Sequence, residues 1–227
     1  QTCALPISTR LIGGLILSHS DDRGLVCPPR LAPSQAVVVP IWKSEDEREA
    51  VVAGARDVLA ELRGGGVRTE LDDREGMKPG AKYYHWEARG VPLRIEIGPR
   101  DVHKEQVVLA RRTGGKAPVG RGQVLDAVRT ALDEVQASLL ASARERREAN
   151  SIRSVTREEL VEFMEGDAGF AYGGFCGSAA CETAVKERTK ATIRLLPDEE
   201  FRSDPPPSRC VWCGAEAVAE AVWARAY

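Results

Sequence analysis

The sequence lacks several features that would assign it to a broad class of protein. No apolar run reaches the roughly 18–20 residues that a membrane-spanning helix needs, so we expect no membrane partner. The opening stretch, QTCALPISTR, lacks a basic region followed by an apolar one, so we expect no signal peptide. The net charge is only −2, which indicates no dominant electrostatic partner. A nucleic acid would have to be bound by local basic patches.

Histidine and cysteine are scarce in a chain of otherwise ordinary composition. His19, His85 and His103 are scattered, without the spacing of a metal site or a catalytic triad. Six cysteines in 227 residues do not make a disulfide scaffold and favour a reducing, cytoplasmic compartment. With 43% hydrophobic and 29% charged residues, the chain has the composition of a globular protein of one large domain or two smaller ones.

Four of the cysteines form two close pairs near the end of the sequence. Cys176 and Cys181 make a C-x4-C pair, and Cys210 and Cys213 make a C-x2-C pair after a gap of 28 residues. Thiolates paired in this way converge tetrahedrally on Zn²⁺. A closed site of four thiolates leaves no position for water or substrate, so we predict a structural zinc ion. Two disulfides, or four unlinked buried cysteines, are the alternatives.

Residues beside the two pairs agree with this hypothesis. Gly174, Gly177 and Gly214 permit the tight backbone turns that such metal-binding loops need. Cys3 and Cys27 stand alone, and we interpret them as a tail residue and a packing residue.

Periodicity predicts an α/β domain in the middle of the chain. Strand-like segments alternate there with helical ones, which predicts a largely parallel or mixed sheet flanked by helices. The strand-like segments are residues 36–42, 67–71, 91–98 and 105–112. Ser44 and Glu47 predict a capping box at the start of the first helix, and Pro79 suits the first turn of the second. A Pro-rich connector within residues 18–35 predicts a domain boundary at that connector.

After residue 151 the pattern changes to that of a small α+β domain. Thr156 and Glu159 predict a second capping box. Residues 151–227 alone would bury only a modest core, so a metal staple is physically reasonable.

Three segments carry a family resemblance in their order and spacing. They read STRLIG…HSDDRGLVCPPRLAPSQ, DDREGMKPGAKYYHWEARGVPLRIEIGPRD and CGSAACETAVKERTKATIRLLP…CVWCG…VWARAY. Together they resemble the C-terminal half of prolyl-tRNA synthetases, of the archaeal/eukaryotic-like class II type with a zinc-containing C-terminal domain. The resemblance runs from about Ser8 to Tyr227.

The resemblance implies a function and a division into domains. It implies an ATP-dependent ligase, homodimeric when full length, that uses Mg²⁺, activates proline as prolyl-adenylate and transfers it to proline tRNA. DNA is not among the implied partners. Residues 1–30 would be a remnant of the class II catalytic domain, containing its last strand and helix. Residues 31–150 would be the anticodon-binding domain, and residues 151–227 the zinc-binding domain.

The resemblance also assigns candidate site residues. Arg10 matches the arginine of class II motif 3, which lies against ATP, and a surface arginine at a strand end is the alternative. The cysteine pairs match the family's zinc ligands, and the carboxylate of Tyr227 is similar to one that reaches back toward the catalytic domain. The candidate tRNA anticodon contacts are Asp73, Arg74, Lys82, Trp86, Glu87 and Arg100.

For the anticodon candidates, the residue types leave a second interpretation open. The edges of unpaired bases are read by carboxylates and amides, while arginine or lysine holds phosphate or stacks. An aromatic ring such as that of Trp86 also stacks on a base. A packing tryptophan and solvated loop charges are equally compatible with the sequence. The segment RTGGK (112–116) lacks the context of a phosphate-binding loop, and we interpret it as a β-turn or a loop that contacts the tRNA backbone.

Departures from the family pattern limit the expected activity. Motif 1, motif 2 and the proline pocket have no counterpart here, and residues 1–7 look foreign to the family. We therefore expect this chain alone to be inactive in proline activation. Three hypotheses stay open: a fragment of a proline–tRNA ligase, a non-catalytic tRNA-binding module, and a zinc-stapled protein-interaction domain.

Overall fold

The computed structural model describes residues 4–166 and 169–225. The chain divides into two compact units, Gln1–Ala143 and Arg144–Tyr227. Each unit has its own sheet and its own apolar core. Within the residues described, no helix is long and apolar enough to cross a membrane.

The first unit is built on a mixed sheet with helices around it. Its strands are β1 (Ala36–Pro40), β2 (Thr69–Leu71), β3 (Leu93–Ile97), β4 (Gln106–Arg111) and β5 (Lys116–Gly120). Its helices are α1 (Ala4–His19), α2 (Glu45–Gly64), α3 (Pro79–Ala88), α4 (Pro99–His103) and most of α5 (Val124–Ala149). The sheet order is β2-β1-β3-β4-β5, with β2, β1 and β3 parallel and β4 and β5 antiparallel. The predicted mixed sheet flanked by helices is confirmed.

The strand register gives this sheet two faces of different character. On one face, residues such as Val38, Ile95 and Leu109 are in register and pack with the apolar stripes of α2 and α5. On the other face, β3 presents Arg94 and Glu96. Side chains alternate along a strand, so the apolar and charged residues of β3 point to opposite faces. Helix α3 covers the charged face, which we call the α3 face.

The second unit is an α+β arrangement. Its elements are β6 (Ser151–Ile152), α6 (Arg157–Glu165), β7 (Phe170–Phe175), α7 (Ala179–Thr189), β8 (Ala191–Leu195) and β9 (Ala219–Arg225). They form a four-stranded sheet in the order β6-β7-β9-β8. Its core includes Trp223, Leu160 and Val185, all fully buried. The predicted capping box of α6 is present, since the N–H of Thr156 donates to Glu159 at 2.8 Å and Thr156 Oγ1 accepts from the N–H of Glu159 at 3.3 Å.

Three local predictions need correction. The last strand of a catalytic domain, expected within residues 8–30, is absent from that described segment, where α1 runs to His19 and is followed by a turn bridged between Asp21 and Gly24. A strand needs a hydrogen-bonded neighbour, whereas a helix satisfies its own backbone groups. Ser44 precedes α2 but makes no side-chain cap, and the carboxylate of Glu47 accepts from the N–H of Lys43 at 2.9 Å.

The third correction concerns the segment after β4, where the sequence analysis placed no strand. The segment RTGGK does contain a turn, with Gly114 and Gly115 at φ of 108° and 89°. It joins β4 to β5, an edge strand. Pro118 lies in β5, and a proline in a short segment argues against a strand unless the strand is at an edge.

Candidate functional site

The second unit brings together the four cysteines that the sequence singled out. All four Sγ atoms of Cys176, Cys181, Cys210 and Cys213 lie within 4.8 Å of one another. The Sγ of Cys176 is 3.6 Å from that of Cys181 and 3.8 Å from that of Cys213. Both separations exceed the roughly 2 Å of a disulfide bond. Four sulfurs placed tetrahedrally about 2.3 Å from Zn²⁺ would lie about 3.8 Å apart, so the cluster fits that ion.

Two short backbone loops present these thiols. Cys176 follows β7, and Cys181 lies in the first turn of α7, with Gly177 at φ 79° between them. The second loop closes when the N–H of Gly214 donates to the carbonyl of Cys210 at 3.0 Å. Gly214 has φ 73°, a conformation that suits glycine because other residues are strained there.

The second loop is held against β7 at Gly174. The N–H of Val211 donates to the Gly174 carbonyl at 2.8 Å, and Gly174 pairs with Cys210 in an isolated β-bridge. A Cβ atom at Gly174 would lie 2.1 Å from the carbonyl oxygen of Arg209. Only glycine therefore allows the two loops to approach closely enough for the thiols to meet.

The thiols have unequal acidities in the metal-free cluster. Burial, together with the neighbouring thiols of Cys213 and Cys176, raises the pKa of Cys181 to about 12. Burial also opposes ionisation of Cys210, but backbone N–H groups, including those of Cys213 and Trp212, lower its pKa to about 7. Cys210 is thus the more acidic of these two thiols, and a divalent cation would supply the positive charge that the thiolates of the cluster need.

The α3 face of the first unit carries a second cluster of functional groups, organised around Asp72. The Asp72 side chain is fully buried and binds Arg74 at two points, each 2.7 Å long. It also accepts from the indole N–H of Trp86 at 2.7 Å, and its carbonyl accepts from Lys82 Nζ at 3.0 Å. Burial alone would raise the pKa of Asp72, but these donors hold it at about 2. The carboxylate is therefore ionised at neutral pH.

A network around Arg94 adjoins this group on the same face. Arg94 donates to Glu87 at 2.9 Å and to Glu96 at 3.0 Å, and its guanidinium lies 3.9 Å from the ring centroid of Tyr83. Lys116 on β5 reaches Glu96 at 2.6 Å. Burial, together with the charge of Glu96, raises the pKa of Tyr83, so this phenol is a hydrogen-bond donor at neutral pH.

The six predicted anticodon residues fall into two groups. Lys82, Trp86 and Glu87 lie on α3 and belong to these networks. Trp86 is half-buried and hydrogen-bonded, which agrees with the packing interpretation.

The remaining predicted residues are exposed. Asp73 is 3.8 Å from Arg56, Arg74 lies beside the buried Asp72, and Arg100 lies in α4 after β3. Arg10 is exposed on α1. Tyr227 lies outside the described residues.

Several members of the α3 face were not predicted from the sequence: Asp72, Tyr83, Arg94, Glu96 and Lys116. The neighbouring Asp73 drew attention instead of Asp72, because only the structure shows which of the two aspartates turns inward. A signal for Arg94 and Glu96 was available, since the alternation LRIEI places both charges on one face of a strand.

Comparison with known families assigns each unit to a class. The family model described as "Anticodon binding domain" matches residues 35–131, and the one described as "Prolyl-tRNA synthetase, C-terminal" matches residues 157–227. The chain thus combines a domain that matches an anticodon-binding family with a cysteine-clustered domain that matches the C-terminal domain of prolyl-tRNA synthetases.

Individual relatives narrow the assignment. A proline–tRNA ligase of Chloroflexus aurantiacus is 44% identical over 230 residues, which is all of this chain and 47% of that protein. The proline–tRNA ligase of Rubrobacter xylanophilus is 48% identical over 193 residues, 85% of this chain and 40% of that protein. The crystal structure of prolyl-tRNA synthetase from Cryptosporidium parvum, complexed with halofuginone and AMPPNP, matches with TM-score 0.85 and 30% identity. That match covers 96% of this chain and 45% of the other.

This chain therefore carries the anticodon-binding and C-terminal domains of prolyl-tRNA synthetases. It spans about half the length of the curated relatives it matches.

Proposed function

We propose that the first unit binds the anticodon of proline tRNA through the α3 face, as part of a proline–tRNA ligase. The observation that carries this proposal is the set of buried and half-buried charges between α3 and the sheet, in a domain that matches an anticodon-binding family. The proposal assigns roles to Glu87, Arg94 and Lys116 in the network, and to Arg74 and Arg100 at its edge.

The chemistry of unpaired bases supports this face rather than the apolar one. Splayed bases expose amino groups that a carboxylate accepts from, and ring nitrogens and carbonyls that a cation donates to. Glu87 and Arg94 offer both functions within 2.9 Å of each other. Replacing a buried ion pair by apolar residues often does not reduce stability, so stability alone gives little reason for charges at this place.

The connectivity of the sheet favours the edge of the α3 face at which Arg74 and Arg100 lie. Ligands of open α/β sheets bind beyond the carboxyl ends of parallel strands, where the strand order reverses. Here the order reverses between β1 and β3, and Arg100 follows the carboxyl end of β3. Arg74 and Asp73 follow the carboxyl end of β2.

The proposal extends to the whole ligase. In it, ATP, Mg²⁺ and proline meet a catalytic domain that Arg10 on α1 belongs to, and the full-length enzyme is a homodimer. Zn²⁺ is held by the four cysteines in a structural role, and a reducing, cytoplasmic location would keep these thiols available to the metal. The domain division at residues 1–30, 31–150 and 151–227 is part of the same proposal, as is the terminal carboxylate of Tyr227.

The test is binding of the purified chain to two proline tRNA transcripts at one fixed salt concentration. One transcript carries the wild-type anticodon, and the other carries a substituted anticodon. We expect the wild-type transcript to bind more tightly. The Arg94→Gln and Glu87→Gln variants should each lose about 1–3 kcal/mol of that preference, which is typical of one base contact. Arg129→Ala is the matched control, since it removes one positive charge from α5, which packs on the opposite face of the sheet.

Two results would count against the proposal. Equal, salt-sensitive binding of both transcripts by the unaltered chain would leave only a general electrostatic contact. Loss of the preference in Arg129→Ala, with none in Arg94→Gln, would place the anticodon on the other face of the sheet.

A further inference from the structure

Arg112, directly after β4, is a buried arginine that the proposed base contacts do not use. Its side chain is 1% exposed. It binds the carboxylate of Asp21 at 2.8 and 2.5 Å, and it donates to the carbonyl of Gly24 at 3.3 Å. Its Nε also donates to the carbonyl of Glu87 at 3.1 Å. One guanidinium therefore joins the segment after α1 to the last turn of α3.

The segment that Arg112 binds, residues 21–27, lies along the end of α3. The N–H of Leu25 donates to the Ala88 carbonyl at 3.2 Å, and the N–H of Cys27 donates to the Gly90 carbonyl at 3.1 Å. The fit is close, because a Cβ at Gly24 would lie 2.7 Å from Ala88 Cα, and one at Gly90 would lie 2.7 Å from the Leu25 carbonyl oxygen.

Helix α3 depends on such polar contacts for its position. It has only ten residues, and Lys82 is the buried residue among them. Most helical stability in proteins comes from packing of an apolar face, and the sheet-facing residues of α3 include Lys82 and Glu87. The carbonyls of Glu87 and Ala88 are in its last turn, where intrahelical partners run out. Ala88 accepts from Leu25, and Glu87 accepts from Arg112 in addition to the N–H of Gly90 at 2.9 Å.

We propose that Arg112 is a positioning residue for anticodon recognition. It fixes the C-terminal end of α3 against residues 21–27, and so fixes the Glu87 carboxylate that faces Arg94. The inference rests on the proposed function of the α3 face. Because Arg112 is buried, it does not contact the tRNA itself. Its role is to set the positions of the groups that do.

The decisive variant is Arg112→Lys. Lysine keeps the charge but lacks the planar fork that reaches Asp21 and the Glu87 carbonyl together. Asp21→Asn is a second variant at the partly exposed end of the same contact, so the test survives if Arg112→Lys does not fold. Val58→Ala is the control, because it destabilises the first unit from the core on the opposite face of the sheet.

The measurement is the dissociation constant for anticodon-substituted proline tRNA divided by that for wild-type proline tRNA, both at the same fixed salt concentration. Arg112→Lys and Asp21→Asn should each lower this ratio at least fivefold. Both should leave the affinity for the substituted tRNA within twofold of that of the unaltered chain. Hydrogen exchange of the Leu25 and Cys27 amides should accelerate together with that of the α3 amides. Val58→Ala, compared at equal distance below its melting temperature, should keep the ratio of the unaltered chain.

The outcomes separate the two proposals. If the unaltered chain discriminates between the two anticodons, and Arg112→Lys and Asp21→Asn discriminate equally well, Arg112 is only structural and the inference is wrong. If the variants lose selectivity no more than Val58→Ala does, general destabilisation explains the loss, and the inference is again wrong. If the unaltered chain itself does not discriminate, the proposed function fails, and the positioning role fails with it.

Discussion

Replacing Gly174 by alanine is expected to separate the two cysteine loops of the second unit. The added Cβ would meet the carbonyl oxygen of Arg209 at 2.1 Å and its carbonyl carbon at 2.9 Å. An ordinary contact needs 3.4 Å or more, and the obstacle is backbone rather than a flexible side-chain end. The segment that carries Cys210 must therefore retreat by about 1 Å, because nothing smaller relieves the clash.

The magnitude follows from two contributions. Forcing an extra carbon into a packed site costs about 1–3 kcal/mol, and losing the hydrogen bond from Val211 to Gly174 costs about 1 kcal/mol more. A shift of about 1 Å also exceeds the roughly 0.2 Å that metal–ligand distances tolerate. If the whole cost of about 2–4 kcal/mol falls on the arrangement that gathers the four sulfurs, zinc affinity falls roughly 25- to 700-fold.

The assay is competition for Zn²⁺ between the chain and a chromophoric chelator, with thermal unfolding recorded with and without the metal. Gly166→Ala is the matched control, since its Cβ would meet only one atom, the Phe163 carbonyl oxygen at an ordinary 3.5 Å. Zinc affinity in Gly174→Ala within threefold of the control would refute the argument that this close approach builds the site. So would equal stabilisation of both variants by zinc.

Two further predictions concern buried carboxylates. The pKa of Asp72 is lowered to about 2 from an ordinary value of 3.8, so its stabilising contribution is present above pH 4 and is lost as the pH falls through 2. It amounts to about 2 kcal/mol, and urea unfolding between pH 5 and pH 2 should show a shallower acid limb in Asp72→Asn. Glu220 accepts from the N–H and hydroxyl of Ser203 at 2.8 and 2.5 Å, and both residues are buried. Glu220→Ala should therefore destabilise the second unit by about 1–3 kcal/mol and expose the Pro-rich segment before Cys210 to proteolysis, whereas unchanged melting and cleavage would show that this contact does not order the segment.

The α3 face shows how far local patterns lead. Its α3 residues Lys82, Trp86 and Glu87 were recognised, because the segment that contains them has a family-like sequence. Arg94 and Glu96 were visible as an alternation, yet whether such a face is solvated depends on what covers it. The cover includes Lys116 of the edge strand β5 as well as helix α3, so the burial of Glu96 is a property of the assembled sheet.

The sequence by itself determined the features that depend on short-range spacing. It determined the two cysteine pairs, the period-2 strands, the capping box at Thr156 and the alternation that makes the first unit an α/β domain. These follow from backbone periodicity and from ligand geometry within a few residues, which the order of amino acids encodes directly.

Only the tertiary structure decided which distant groups meet. It chose Asp72 over Asp73 as the buried carboxylate, made an edge strand of residues 116–120, and brought Arg112 to Asp21 across 91 positions of sequence. It also placed the Gly174 backbone against Arg209, so that two separate cysteine pairs become one cluster. Register between strands and the covering of a face are set by packing over the whole domain, and no local pattern carries that information.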